Sequence, residues 1–482
     1  MNTKETKFDY VYRNLRERIV SGVIPKGNRL SSSRKLCDEF HVSIYTITNV
    51  LNKLKEEGMI EIEPRKTPIV VYNTNENKGL AEKILSQRDV FLQLYETMAL
   101  IIPPILTFSS KGLESINLLP HYIEIEKIKK RTLPPDKWRI ISNIYRDIIN
   151  RSQNPFIEDL YNNFELHSYL SFFAEEQKAY TGISIRDSIP DIKHLVTKLN
   201  LSDPLKRYEH FNKVYNTAFS IIKCSLENLE KSVKTLPAQT GEFTWDIRRG
   251  KNYQYRQITQ DLIDKIGRGI YPYDTFLPSE AMLAKEYNVS VSTIRKSLSI
   301  MFQIGFTKTI NGKGTLVITP SDANNYEINK FPNLKQDALS YLYALQLMLL
   351  IIGIASYRAA EKFSESEIEI LTDNAKDTNT ISFDNLLSEI INKTDLKPLK
   401  EILIQTNEVI EWGYYLSLYN NKTQSIYKLN KKSLQACYYL KKKDYHSFAF
   451  EMEDCFRLIL KAVRKYMIEV NNIKEAKDIF IP

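Results

Sequence analysis

Cysteine is scarce in this chain: four residues in 482, at Cys37, Cys224, Cys437 and Cys455. They lie far apart and form no C-x-x-C pair. That argues against a disulfide scaffold or a paired-cysteine metal knuckle and fits a reducing compartment. Histidine is nearly as sparse. The six (His41, His121, His167, His194, His210 and His446) are scattered, and only one falls in the second half. A histidine-built metal site is therefore not expected, and neither is a cofactor. There is no H-E-x-x-H, no G-x-S-x-G and no phosphate loop, so an enzyme is not expected. No low-complexity tract occurs. The opening residues, MNTKETKFDYVYRNLRER, carry charge where a secretory signal needs an apolar core, so a cytoplasmic location is the expectation.

Long uncharged runs are few. Residues 338–357, ALSYLYALQLMLLIIGIASY, form one that is just long enough to cross a bilayer. Gln346 and three tyrosines dilute it. The equivalent stretch in the first half, FLQLYETMALIIPPILTFSS, carries Glu96 and the Pro103-Pro104 pair. Both runs suit packed helices of a bundle better than lipid-facing ones, and no membrane partner is expected.

What is present is a folded-protein composition, 43% hydrophobic and 26% charged, with a net charge of +9 that leans toward polyanions. Above all there is a repeat. LSSSRKLCDEFHVSIYTITNVLNKLKEEGMI recurs without a gap 247 residues later as LPSEAMLAKEYNVSVSTIRKSLSIMFQIGFT. Upstream, Val11, Leu15 and Ile19 match Ile258, Leu262 and Ile266, an i, i+4, i+8 stripe that buries one helix face. Gly22 matches Gly269 and Pro25 matches Pro272, a helix stop in each copy. So many matches in one register point to duplication of one unit. The expected order is a winged helix-turn-helix at 1–76, a helical domain at 77–235, a linker at 236–252, a second winged helix at 253–320 and a second helical domain at 321–482. The fold class is mainly α, with small β wings.

The second copy shows how such a unit would meet DNA. Ser279 and Glu280 open one helix and Ser290 caps the next. On that helix Ile294, Leu298 and Met301 are spaced to bury. Ser292, Thr293, Arg295, Lys296 and Ser299 remain for the open faces. Hydroxyls reach phosphates, and an arginine can bond guanine O6 and N7 together. A hairpin follows, turning at Asn311-Gly312 with Lys313 and Gly314 at or beside its tip, where glycine permits close approach to the sugar-phosphate edge. The first copy offers Arg34, Ser43, Tyr45, Thr46, Thr48, Asn49 and Asn52, with Arg65 and Lys66 in a wing that has lost both glycines. It would read bases mainly by amide and hydroxyl groups.

These residues resemble the winged helix of GntR-type bacterial transcription regulators. The second copy matches that pattern in G-I-Y-P-Y-D-T-F-L-P-S-E, V-S-V-S-T-I-R-K-S-L and G-K-G-T-L-V. The resemblance implies contact with double-stranded DNA through Ser290, Thr293, Arg295 and the wing at 312–314. Two of the family's arginines are replaced, by Val291 and Ala281, and in the first copy the two recognition-helix arginines become Ile44 and Thr48. The stretch RSQNPFIEDL in the first helical half is similar to one in the family's all-helical FCD type. The position of that type's first histidine metal ligand is Tyr145 here, so no metal is expected. The resemblance also implies a regulator that answers a small-molecule effector; the duplication makes the two winged helices a covalent pseudo-dimer, and the differences between the copies make an asymmetric operator the expectation. Further homodimerisation would give four reading heads. The competing expectation is a non-enzymatic interaction or scaffold protein whose winged helices do not read DNA.

Overall fold

The structure is a computed structural model. It describes residues 7–20, 24, 26–40, 42–64, 66–72, 85–111, 143–168, 203–232, 238, 242–247, 254–267, 269–318, 331–376, 382–414 and 422–482. The chain divides into two compact units, 1–251 with 396–401, and 252–395 with 402–482.

Each unit opens with the same small domain. In the first, α1 (Lys7–Val20), α2 (Ser33–Phe40) and α3 (Ile44–Glu56) precede strands β1 (Ile60–Glu61) and β2 (Ile69–Val70). In the second, α7 (Gln254–Gly267), α8 (Glu280–Glu286) and α9 (Val291–Gln303) precede β3 (Thr307–Ile310) and β4 (Gly314–Val317). The duplication extends to the core. Ile258, Leu262, Ile266, Leu277, Leu283, Ile294, Leu298, Met301, Phe306 and Val317 are buried together. Their counterparts Val11, Leu15, Ile19, Leu30, Leu36, Ile47, Leu51, Leu54, Met59 and Val70 are buried as well. A cation over an aromatic ring also recurs at one offset, Arg18 over Phe40 at 5.4 Å and Lys265 over Tyr287 at 4.9 Å.

The wings differ in length for a covalent reason. In the second, four residues pair with four, from Thr307↔Val317 to Ile310↔Gly314. In the first, only Ile60↔Val70 and Glu61↔Ile69 pair. Pro64 and Pro68 stand where the second wing has Asn311 and Thr315, and proline has no N–H to give a ladder. A third short segment bridges each wing at matching positions, Arg29↔Ile69 and Phe276↔Leu316.

Helices follow each wing. In the first unit they include α4 (Arg88–Ser109), α5 (Pro155–Ser168) and α6 (Pro204–Ser232). The second unit continues with α10 (Pro332–Ala360), α11 (Glu365–Lys376), α12 (Ser382–Lys393), α13 (Lys397–Tyr414, of which 402–414 belong to this unit), α14 (Lys422–Lys441) and α15 (Tyr445–Glu469). The NP of RSQNPFIEDL acts locally: Asn154 Oδ1 accepts from the Phe156 amide at 2.9 Å and starts α5 at Pro155. Tyr145 is buried, edge-on to Phe211 at 5.8 Å, and burial raises its phenol pKa. His167 bonds the Asn163 carbonyl at 2.9 Å and stands edge-on to Phe243. Among the described residues no His, Cys, Asp or Glu cluster is arranged to hold a metal ion. Helices α4 and α10 are long and apolar enough to cross a membrane, but most of each apolar stretch is buried by protein. Within α10, Gln346 is buried and donates to the Phe480 carbonyl at 2.6 Å.

Each small domain is tied to the helices of its own unit through its first helix. In the first unit, Asp159 on α5 accepts from Tyr10 of α1 at 3.4 Å and from Trp245 Nε1 at 3.0 Å. In the second, Arg256 of α7 pairs with Asp337 of α10, whose side chain is 5% exposed. The stretch 236–252 is read as a linker from its proline, glycine and mixed charge. Within it, Phe243, Trp245 and Ile247 are buried, and Phe243 stacks on Phe164 at 5.8 Å. That part packs into the first unit rather than running free.

Candidate nucleic-acid interface

Serine caps build both copies. Ser279 Oγ accepts from the Met282 amide at 3.3 Å and begins α8. Ser290 Oγ accepts from the Thr293 amide at 3.2 Å and begins α9. In the first copy Ser32 takes the Lys35 amide at 3.3 Å and Ser43 takes the Thr46 amide at 3.2 Å. Caps of this kind are each worth about 1 kcal/mol. Ser290→Ala is therefore expected to destabilise the second winged helix by about 0.5–2 kcal/mol, to be read as a lowered midpoint in urea denaturation. Between the two helices Asn288 takes a left-handed φ of 51°, which asparagine tolerates better than most residues.

On α9 the exposed side chains are Ser292, Arg295, Lys296, Ser299 and Phe302, while Thr293 is half-buried at the flank. The hydroxyls of Ser292 and Thr293 each lie 2.8 Å from that of Ser290, a cluster at the start of the helix. Arg295 is 68% exposed and donates from Nε to Glu280 Oε2 at 2.7 Å. A bond through Nε steadies the guanidinium and leaves both terminal nitrogens for a two-pronged partner. Glu280 is thus part of the site, where the sequence alone places it only at a helix start. Lys296 departs from the expected groove-facing role: its amine lies 4.2 Å from the centre of the Tyr255 ring, back on α7. Ser297, on the inner face, meets Thr259 Oγ1 at 2.8 Å and locks α9 to α7.

At the wing tip Gly312, Lys313 and Gly314 are all exposed. Gly312 has φ +75° and Gly314 φ +122°, left-handed values that most side chains avoid. A Cβ at Gly314 would lie 3.6 Å from the Phe276 ring, so there the backbone conformation, not crowding, favours glycine.

The first copy is chemically different. Arg34, Ser43, Tyr45, Thr48 and Asn52 are exposed, whereas Thr46 and Asn49 are half-buried on the helix flank. Thr48 returns its hydroxyl to the Ile44 carbonyl at 2.9 Å. Lys66 bonds Glu63 at 2.7 Å, and Arg29 reaches the same carboxylate at 3.1 Å. The hydrogen bond from Lys66 and then that from Arg29 hold the Glu63 carboxyl below its ordinary pKa. Arg65 lies outside the described residues.

Comparison with known proteins agrees with this geometry. Residues 8–70 and 254–317 each match the profile described as bacterial regulatory proteins, gntR family. The HTH-type transcriptional regulator YdfD of Bacillus subtilis is 38% identical over 65 residues, 14% of this chain and 14% of that protein. A probable fructoselysine utilization operon transcriptional repressor of Escherichia coli is 40% identical over 63 residues, 13% of this chain and 26% of the repressor. The regulator LutR of Bacillus subtilis is 30% identical over 120 residues, 23% of this chain and 51% of LutR. The chain thus spans no more than about half the length of these relatives. Two winged helix-turn-helix domains of the GntR family lie in this one polypeptide.

Proposed function

We propose that the chain is a sequence-specific, DNA-binding transcription regulator of GntR type. Its two winged helices act as a covalent pseudo-dimer on an asymmetric operator in the cytoplasm. The observation that carries this reading is Arg295: exposed, held by Glu280, and placed between a hydroxyl-capped helix start and a helix face ready for a major groove. The wing adds Lys313 on a glycine-framed tip suited to the sugar-phosphate edge. Covalent linkage stands in for the partner subunit of a dimer. Once one head binds, the other is presented at an effective concentration on the order of mM if the tether spans the sites. Because the copies differ in side-chain chemistry, the preferred site has two unlike halves. Regulation by a small molecule through the helical domains belongs to the same reading, as does pairing of two chains into four reading heads. No catalytic step is assigned.

The test is binding of the purified full chain to duplexes enriched from a random-sequence pool, with and without Thr293→Ala combined with Arg295→Ala. Loss of discrimination in the double variant supports DNA readout. Unchanged affinity for every duplex would favour the scaffold alternative. Lys313→Ala is expected to weaken all sequences alike and to flatten the slope of log affinity against log salt by about 1.

A further inference from the structure

The two recognition helices differ on the face each leaves open. In the second copy that face carries Arg295 bonded to Glu280. At the same offset the first copy has Thr48 and Ser33, so both members of the ion pair are replaced together. Thr48 turns its hydroxyl back into its own helix. What projects instead is Ile44, 56% exposed, and Tyr45, 74% exposed, in the turn directly after the Ser43 cap. The counterpart of Ile44 is Val291, which packs on the core of its own domain. One exposed apolar side chain is ordinary on any surface. Two adjacent ones at the leading end of a recognition helix stand where base edges lie in a docked helix-turn-helix. Asn52 is exposed and Asn49 half-buried further along the same helix.

The major groove displays one apolar group, the C5 methyl of thymine, and aliphatic side chains read it by contact. The amide of asparagine pairs with adenine N6 and N7. We infer that the first copy reads an A·T half-site, Ile44 and Tyr45 covering thymine methyl groups, while Arg295 makes the other half-site depend on guanine. This rests on the DNA-binding reading above and deepens it by naming the bases. Lys66 and Arg29 share the Glu63 carboxylate, so one of their two charges is offset within the protein. An exposed Ile-Tyr pair would also suit a protein partner. The retained Ser43 cap and the exposed Arg34 and Lys35 in the first turn of α2 favour DNA.

The experiment uses duplexes enriched by the full chain from a random pool. The half-site that loses protection in Arg295→Ala belongs to the second copy, and the remaining one to the first. Deoxyuridine then replaces thymidine in the first-copy half-site, removing only the methyl groups. Binding by the unaltered chain is expected to weaken about three- to tenfold. Ile44→Ala is expected to bind the thymine duplex more weakly than the unaltered chain and to show a smaller uracil penalty, the remainder being the share that Tyr45 carries; Ile44→Ala combined with Tyr45→Ala is expected to bind the two duplexes equally. Equal affinity of the unaltered chain for the two duplexes, a uracil penalty undiminished in Ile44→Ala, or no protected first-copy half-site would overturn the inference. Failure of the underlying reading looks different: no duplex is enriched, and Arg295→Ala changes no affinity. Ile44 lies outside the core, and an unchanged thermal midpoint in Ile44→Ala confirms that the variant is folded.

Discussion

Arg295→Ala is expected to lower affinity for a selected duplex by roughly 5- to 150-fold, the range for losing a two-pronged contact to one base. The loss should be confined to specific sequences. Random DNA, held by phosphate contacts, should bind with little change apart from the one charge removed. The geometry explains why lysine is a poor substitute. Glu280 takes Nε, and the fork of two terminal nitrogens is what remains for guanine; an ammonium has no such fork. Arg295→Lys is therefore expected to keep affinity for random DNA but to lose most discrimination at one base pair. Competition binding against duplexes altered one position at a time measures both variants. An arginine whose loss weakens all duplexes equally would be a phosphate contact.

The second large effect is on stability. Asp337 is buried on α10 and pairs with Arg256 on α7, tying the second winged helix to the helices behind it. Removing one partner of a buried pair costs about 3–5 kcal/mol. Asp337→Ala should fall near the lower end, because Arg256 keeps partial contact with solvent. Replacing both residues by apolar ones, as in Arg256→Met with Asp337→Leu, is expected to recover most of the loss, since an apolar pair needs no desolvated charge. Guanidinium denaturation of the singles and the double gives the coupling energy. A coupling near zero would mean that the two domains are held by the surrounding packing alone.

Much of the small domain can be read directly from residue order. The stripes Val11-Leu15-Ile19 and Ile258-Leu262-Ile266 are local periodicities, and the caps Ser43 and Ser290 act within three residues. The Asn311-Gly312 turn likewise needs only its neighbours. The side-chain partnerships across helices were less legible. Glu280 and Arg295 are 15 positions apart and meet only because α8 and α9 cross at the helix-turn-helix angle. Lys296 turns to Tyr255 for the same kind of reason: α7 runs beneath α9, and a long lysine reaches a ring there. The proline and glycine of the 236–252 stretch suggest a tether. The signal that part of it is folded was its aromatic content, since Phe243 and Trp245 have large surfaces to bury. The helical halves were legible as helical, but which helices pack on which depends on contacts far apart in sequence, as with α10 and α15.

The pairing of two reading heads in one polypeptide is tested most directly by hydroxyl-radical footprinting of the full chain on a selected duplex, with the mass of the complex taken from light scattering of the same sample. Two protected segments with one chain per duplex are expected, the one that depends on Arg295 vanishing in Arg295→Ala while the other persists. A single protected segment per chain, with the second appearing only when a second chain joins, would contradict it.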